Sequence, residues 1–166
     1  MNGGGRGNGG GRGMSKEIAP PRDGRPLYTM RLRVRNYEID ALGHVNNAVY
    51  VSYLEQAAIE HGAVMGLDGA RAAALGGHFV VRRHEIDYLG AAVAGDELEI
   101  ETWPEDLRGP RAVRCYEIRH AGGKRLVAAR TLWVWVDLNG RPRPIPREIA
   151  DHFALPDGDA GRRTPT

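Results

Sequence analysis

One long stretch of helical periodicity constrains the fold of this chain more than any other feature. Within residues 47–65, apolar or small side chains recur at helical spacing, at Tyr50, Leu54, Ala57, Ala58 and Met65. Gly66 follows where a C-terminal cap is expected, so the pattern predicts a helix of roughly five turns. Small residues such as Gly62 leave room for a sheet to approach closely. The rest of the fold must therefore be built around a single helix.

Four further stretches have the pattern of β-strands. They comprise residues 31–37, 97–102, 111–119 and 126–136. The first two alternate with a period of two, the third does so less regularly, and the last is apolar on both faces. A strand of the last kind suits a central position, covered by the helix on one side and by a partner subunit on the other. Together with a hairpin predicted at Gly122 and Gly123, the pattern indicates one α+β domain.

The loop between the first strand and the helix contains residues with chemical functions. Asp40 supplies a carboxylate, Gly43 allows a tight turn, His44 follows, and Asn46 or Asn47 can cap the helix start. The first N–H groups of a helix lack intrahelical partners and lie at the positive end of its dipole, so they can hold an oxyanion. Asp40 is therefore either a catalytic carboxylate or, as is common before a helix, only a turn or capping residue.

A family resemblance is carried by the pattern Asp40-x-x-Gly43-His44-Val45-Asn46-Asn47-x-x-Tyr50, followed by Tyr53-Leu54-Glu55. It resembles the first motif of the 4-hydroxybenzoyl-CoA thioesterase group of hotdog-fold proteins. Residues 84–101 and 128–146 resemble later strands of the same fold, so the resemblance covers roughly residues 27–154. It implies a hotdog domain, in which a curved antiparallel sheet of about five strands wraps around one long helix. It further implies a homodimer, often paired into a dimer of dimers, with active sites at the subunit interface.

The resemblance also implies a chemistry and a set of site residues. Thioester hydrolysis needs an oxygen nucleophile at the acyl carbon and stabilisation of the resulting oxyanion, whereas the thiolate leaves with little help. In this family the residue matching Asp40 either attacks the carbonyl to give a mixed anhydride or activates a water. The backbone amide matching Asn47 points at the thioester oxygen, and Gly43 keeps that approach open. No cofactor is implied.

Three other residues have open roles. The His-Val-Asn-Asn stretch resembles that of acyl-carrier-protein thioesterases, and His44 either assists catalysis or closes the turn. Arg108 and Arg111 fall in the turn between the strands predicted at 97–102 and 111–119, which resemble the third and fourth strands of the family. Family members hold the phosphates of coenzyme A near this turn. Arginine suits phosphate because its planar fork binds two oxygens, although exposed charge is the simpler role for either residue.

Composition excludes several classes of function. The formal net charge is only +2 and some of that excess lies near the termini, which argues against nucleic-acid binding. Arg31, Arg33 and Arg35 form a stripe on one strand, interpreted either as a solvated face or as an attraction for an anionic substrate. Asp40 and His44 also suggest a metal site, but the other five histidines do not complete a recognised ligand motif around them, so no metal site is predicted.

Domain boundaries follow from composition as well. Residues 1–25 are Gly-rich and polar, residues 26–155 form the predicted hotdog domain, and residues 156–166 form a polar tail. No apolar run is long enough to cross a membrane, and the single cysteine fits a reducing compartment, so a cytoplasmic protein is expected. The predicted function is hydrolysis of acyl-CoA. The alternatives are an acyl-carrier-protein thioesterase and an acyl-thioester-binding hotdog domain without turnover.

Overall fold

The structure is a computed structural model that describes residues 27–153. The tails predicted at residues 1–25 and 156–166 lie outside the described residues. The five strands are β1 (Tyr28–Arg33), β2 (Gly77–Tyr88), β3 (Glu97–Arg108), β4 (Arg111–His120) and β5 (Arg125–Asp137). The helices of this region are α1 (Asn47–Val64), α2 (Gly69–Ala74) and α3 (Arg147–His152), and a 3-10 turn spans Asn36–Glu38.

The strands form one antiparallel sheet in the order β1-β3-β4-β5-β2. β5 lies between β4 and β2, which confirms the interior position predicted from its apolar faces. The hairpin between β4 and β5 turns at Gly122, which has a positive φ of 68°. β2 and β3 follow each other in sequence but are not neighbours in the sheet, because β2 crosses over to the far edge. Its outer edge pairs with no other described strand.

Helix α1 packs against one face of this sheet, where the main core forms. Its buried side chains include Tyr50, Tyr53, Leu54 and Ala57, which join strand residues such as Ile100 and Ile118 in one cluster. Full burial of a leucine like Leu54 contributes about 1.5–3 kcal/mol relative to its exposure to water. The predicted helix over residues 47–65 is thus confirmed to within one residue, and its positive-φ cap is Gly66, at φ 75°.

The first strand ends earlier than the sequence pattern predicts. A strand over residues 31–37 is wrong, since β1 ends at Arg33 and the chain enters the 3-10 turn at Asn36. The physical reason is Glu38, which is only 6% exposed and whose carboxylate accepts a hydrogen bond of 2.7 Å from the Arg35 N–H. Burying this carboxylate with its partners draws the chain out of the sheet.

The arginine stripe on β1 lies opposite acidic side chains. Arg31 is 2.8 Å from Glu99, and Arg33 is 3.9 Å from Glu97, in agreement with the register that places each pair side by side. Arg35 pairs with Glu38 at 3.1 Å. The Arg31 and Arg33 pairs lie at the surface and contribute about 0–1 kcal/mol each. Because the stripe is paired with acids, the structure favours its interpretation as a solvated face.

Two short helices and the first half of β2 were not predicted. In α2, Asp68 caps the helix by accepting a hydrogen bond of 2.8 Å from the Arg71 N–H. The sequence does contain this signal, because Asp68 directly precedes the alanine-rich segment 69–74. β2 starts at Gly77, a position that requires glycine because a Cβ there would lie 2.2 Å from the Val136 carbonyl oxygen. No helix within residues 27–153 combines the length and the apolar character needed to cross a membrane.

Gly62 lies where α1 closely approaches the chain that follows it. A Cβ at Gly62 would lie 2.9 Å from the backbone oxygen of Leu67, which cannot move without breaking the turn. We expect Gly62→Ala to lower the free energy of unfolding by about 1–3 kcal/mol, despite the better helix propensity of alanine. Urea denaturation measures this. The control is Gly69→Ala, where nothing lies within 4 Å, and an equal effect of both would contradict the packing argument.

Candidate active site

Residues 40–44 form a compact turn at the start of α1. The Asp40 N–H donates to the His44 carbonyl at 2.8 Å, and the Gly43 N–H donates to the Asp40 carbonyl at 3.0 Å. On either side, Ile39 and Val45 form an isolated antiparallel bridge. The Val45 N–H donates in turn to the Ala92 carbonyl at 2.9 Å. The turn is thus tied to the rest of the fold at both of its ends.

The Asp40 carboxylate uses one oxygen inside this turn. Its Oδ1 accepts hydrogen bonds from the backbone N–H groups of Leu42, at 2.8 Å, and His44, at 3.4 Å. Within residues 27–153, Oδ2 has no hydrogen-bond partner, and the residue is only half-buried. Asp40 therefore closes the turn with one oxygen and leaves the other without a hydrogen-bond partner among these residues. The structural and the chemical interpretations of Asp40 are compatible.

The start of α1, seven residues beyond Asp40, provides an open backbone donor. Asn46 is the capping residue, since its side chain accepts a hydrogen bond of 2.9 Å from the Ala48 N–H. Asn47 is the first helical residue, is exposed, and its N–H has no acceptor among the described residues. The cap thus belongs to Asn46, and Asn47 is left with a free amide at the positive end of the helix dipole.

Gly43 is required by the backbone conformation of the turn. Its φ is +80°, a region that side chains disfavour, yet a Cβ added there would meet nothing within 4 Å. The space beside the turn is therefore open, as expected for the approach of a substrate.

The His44 side chain is exposed, and within residues 27–153 its ring makes no hydrogen bond to Asp40 or to any other group. Only its backbone contacts Asp40. A catalytic role for His44 stays a prediction, because the structure does not bring its ring to the carboxylate.

Glu38 supports the site and was missed in the sequence. The Tyr53 hydroxyl on α1 donates a hydrogen bond of 2.7 Å to its Oε2, and the Asn46 N–H donates to its backbone oxygen at 2.9 Å. Burial raises the pKa of Glu38, but the hydrogen bonds from Arg35 and Tyr53 outweigh this and hold it below its ordinary value of 4.5. Glu38 lies in the 3-10 turn and Tyr53 in a helix fifteen residues later. No local sequence pattern reveals that the two side chains meet.

Three tyrosines fasten the first turns of α1 to the sheet. The ring of Tyr50 meets those of Tyr53 and Tyr88 edge-on, with centroids 5.9 and 5.8 Å apart. The Tyr88 hydroxyl at the end of β2 also donates a hydrogen bond of 3.0 Å to the Asn47 carbonyl. The direction of the helix start, and hence of its open amide, is fixed by these contacts.

Arg108 and Arg111 lie far from Asp40 in the same subunit. They flank the turn between β3 and β4, as predicted. The Asp40 turn lies near the opposite end of β3, where Val34 bonds to Gly95 and Asp96. Eleven residue steps at about 3.3 Å place roughly 35 Å of strand between the two ends. Arg108 is exposed and 3.2 Å from Asp106, whereas Arg111 has no carboxylate within 4 Å among the described residues.

No group of three or more His, Cys, Asp or Glu side chains within residues 27–153 is placed to hold a metal ion.

Comparison with known proteins identifies the family. Residues 34–153 match the sequence profile of the thioesterase-like superfamily. The chain belongs to this superfamily. Both the hotdog fold and the thioesterase identity predicted from the Asp40 motif are confirmed.

Individual relatives agree with this assignment. Acyl-CoA thioester hydrolase YbgC of Escherichia coli is 34% identical over 133 residues, covering 76% of this chain and 96% of that protein. A chloroplastic acyl-acyl carrier protein thioesterase of Arabidopsis thaliana is 27% identical over 148 residues, covering 87% of this chain and 71% of that protein. Among solved structures, a thioesterase of Thermus thermophilus complexed with coenzyme A and Zn has a TM-score of 0.69 at 32% identity, covering 79% of this chain and 93% of that one.

Glu38→Gln tests the support beneath the Asp40 turn. The substitution should lower the free energy of unfolding at pH 7 by about 1–3 kcal/mol, because it removes the charge from a buried, hydrogen-bonded acceptor. A carboxylate with a lowered pKa in the folded state contributes stability above its ordinary value of 4.5, and this is lost as pH falls through the folded-state pKa. The difference between wild type and variant should therefore close as the pH is lowered below 4.5.

Urea denaturation across this pH range measures the effect. Glu97→Gln is the matched control, since Glu97 pairs with Arg33 at the exposed surface and should cost about 0–1 kcal/mol. A Glu38→Gln effect no larger than this at pH 7, or one that grows at low pH, would contradict the assigned role.

Proposed function

We propose that this protein hydrolyses acyl-CoA thioesters, with Asp40 as the nucleophile or general base and the Asn47 amide as the oxyanion donor. The observation that carries the proposal is the pairing of an open carboxylate oxygen with an open helix-start N–H on the two sides of one short turn. Thioester hydrolysis needs these two groups and little more, because a thiolate is a good leaving group.

The two routes differ in what attacks the acyl carbon. In the first, the free Oδ2 of Asp40 attacks, the C–S bond breaks with release of the thiolate, and water then cleaves the mixed anhydride. In the second, Asp40 takes a proton from a water that attacks the acyl carbon, the C–S bond breaks to release the thiolate, and Asp40 then gives up the proton to solvent or to the thiolate. Both routes pass through a negatively charged oxygen, which the Asn47 N–H and the helix dipole stabilise. Oδ1 remains bonded within the turn and keeps the carboxylate oriented.

The relatives guide the choice of thiol carrier. YbgC is named as an acyl-CoA thioester hydrolase and is matched over nearly its whole length, which supports coenzyme A. The alternative is an acyl carrier protein, as in the name of the Arabidopsis thaliana relative. A third candidate, a hotdog domain that binds acyl thioesters without turnover, is disfavoured by the retention of Asp40. A cytoplasmic location fits the single Cys115, whose thiol is buried.

A homodimer completes the site in this proposal. The outer edge of β2 is twelve residues long and unpaired among the described strands, so a second copy can extend the sheet there.

Arg108 and Arg111 are too distant from Asp40 to serve the same substrate within one subunit. We infer that they hold the phosphates of coenzyme A bound at the partner's Asp40, with Arg111 the less constrained of the two because it lacks an acidic neighbour.

Asp40→Asn tests the proposed catalytic group. Asparagine keeps an acceptor for the Leu42 N–H but removes the charge, so we expect kcat to fall by about 10²–10⁴-fold while the fold persists. Thiol release is followed with short, medium, long and aromatic acyl-CoAs and with acyl-carrier-protein thioesters.

Asp68→Asn is the matched control for this variant. Asp68 is also an aspartate at a helix start, bonded to the Arg71 N–H, but it lies away from the Asp40 turn. If Asp40→Asn retains as much activity as Asp68→Asn, Asp40 is only a turn residue. If wild type cleaves no thioester in the panel, the binding function replaces the catalytic one.

Complementation between subunits tests the composite site. Asp40→Asn and the double variant Arg108→Gln/Arg111→Gln should each be impaired, the second through a higher KM for acyl-CoA. After the two are unfolded and refolded together, mixed dimers contain one site with both Asp40 and the two arginines intact. Activity should then exceed the sum of the separately refolded samples several-fold at low acyl-CoA concentration. Simple additivity would show that no site is shared between subunits.

A further inference from the structure

A cavity lies at the other end of α1 from the Asp40 turn. Its volume is about 290 Å³, near the lower end of the range of about 300–1,000 Å³ typical of ligand pockets. The wall is mostly apolar and includes Ile59, Ala63, Phe79, Ala112, Trp133 and Phe153. Ala58, the first lining residue on α1, is eleven residues beyond Asn47, about 16 Å along the helix. The cavity is thus separate from the same subunit's proposed catalytic site.

Arg114 is the cation in this apolar wall. Its Nη1 donates to His61 Nδ1 at 2.9 Å and to Thr102 Oγ1 at 3.1 Å, and its guanidinium lies 5.6 Å from the centre of the Phe153 ring. Among residues 27–153, Nε and Nη2 have no hydrogen-bond partner. These two atoms form one edge of the guanidinium fork, which is the edge that binds both oxygens of a carboxylate.

The charge of Arg114 is also uncompensated within the described chain. Eleven of the fifteen arginines in residues 27–153 lie within 4.0 Å of a carboxylate. Of the other four, Arg82, Arg111 and Arg141 are exposed to water, and Arg114 alone is partly buried. Asp68 also lines the cavity, but it caps α2 and is not within 4.0 Å of Arg114, and Glu60 is bonded to Tyr28 and Gln56. A buried charge without a counter-ion is costly, which marks the cavity as suited to an anion.

The neighbouring histidine does not supply that anion. Because Arg114 can only donate, His61 Nδ1 must accept, and the ring is neutral. Burial and the Arg114 charge lower the pKa of His61 to about 4. A counter-ion for Arg114 must therefore come from outside the described residues.

We propose that this cavity binds a small carboxylic acid in its anionic form, with the carboxylate on the free Nε–Nη2 edge of Arg114 and the apolar part against the cavity wall. A carboxylate is present in the free acid and absent from a simple acyl thioester. The site therefore distinguishes the class of product released by a thioesterase from its substrate. It would respond to the free acid at a place distinct from the proposed catalytic turn in the same subunit.

Calorimetric titration of the full chain at pH 7 tests the proposal with octanoate and, as a neutral match, 1-octanol. Octanoate should bind at least about tenfold more tightly than the alcohol, because only it forms charge-assisted hydrogen bonds. Arg114→Gln should weaken octanoate binding by about tenfold or more, and Arg114→Lys should restore only part of it, since lysine lacks the fork. Arg141→Gln, which removes an exposed unpaired arginine, should leave octanoate binding unchanged.

A second variant keeps the test independent of any folding defect at Arg114. Ala63 is exposed at the cavity mouth, and Ala63→Phe should weaken octanoate binding by filling the space while Arg114 stays in place. Absence of octanoate binding, equal binding of the alcohol, or full binding by Arg114→Gln would each overturn the proposal. Because no thioester is turned over, the result is independent of the proposed hydrolase activity.

Discussion

Tyr53 on α1 donates a hydrogen bond to the buried carboxylate of Glu38, and this contact ties the end of β1, the Asp40 turn and the helix into one unit. Glu38 in turn accepts from the Arg35 N–H, and its backbone oxygen accepts from the Asn46 N–H. The Val45 N–H, which donates to the Ala92 carbonyl, provides a second tie between this segment and the rest of the fold. The relative position of a carboxylate and a helix-start amide, on which the proposed chemistry depends, follows from these contacts.

In the proposed mechanism, the Asp40 carboxylate has both a structural and a chemical role. One oxygen satisfies backbone donors of the turn, as a capping aspartate does in many proteins, and the other has no hydrogen-bond partner among residues 27–153. A group held in this way needs little reorganisation when a substrate arrives. In the proposed homodimer, a second subunit would cover the open side of the turn and supply the phosphate-binding charge of Arg108 and Arg111.

Much of the fold could be predicted because its signals are local. The periodicity of α1, the capping asparagine and Gly66 lie within one segment, and the apolar faces of β5 mark an interior strand. The early end of β1 could not be predicted, because it depends on Glu38 meeting a tyrosine fifteen residues away. The cavity around Arg114 is likewise non-local, since His61, Thr102 and Phe153 come from three separate parts of the chain. For the site, the motif located the turn, but the structure assigned the cap to Asn46.

A crystal structure with a non-hydrolysable analogue of a cleaved acyl-CoA, in which a methylene group replaces the thioester sulfur and the carbonyl is kept, would test the central claim most directly. The analogue's carbonyl oxygen should lie about 2.7–3.1 Å from the Asn47 N, and its acyl carbon about 3–3.5 Å from Asp40 Oδ2 or from a water bonded to it. An analogue whose carbonyl binds away from both groups, with Asp40 still bonded only within its own turn, would contradict the account.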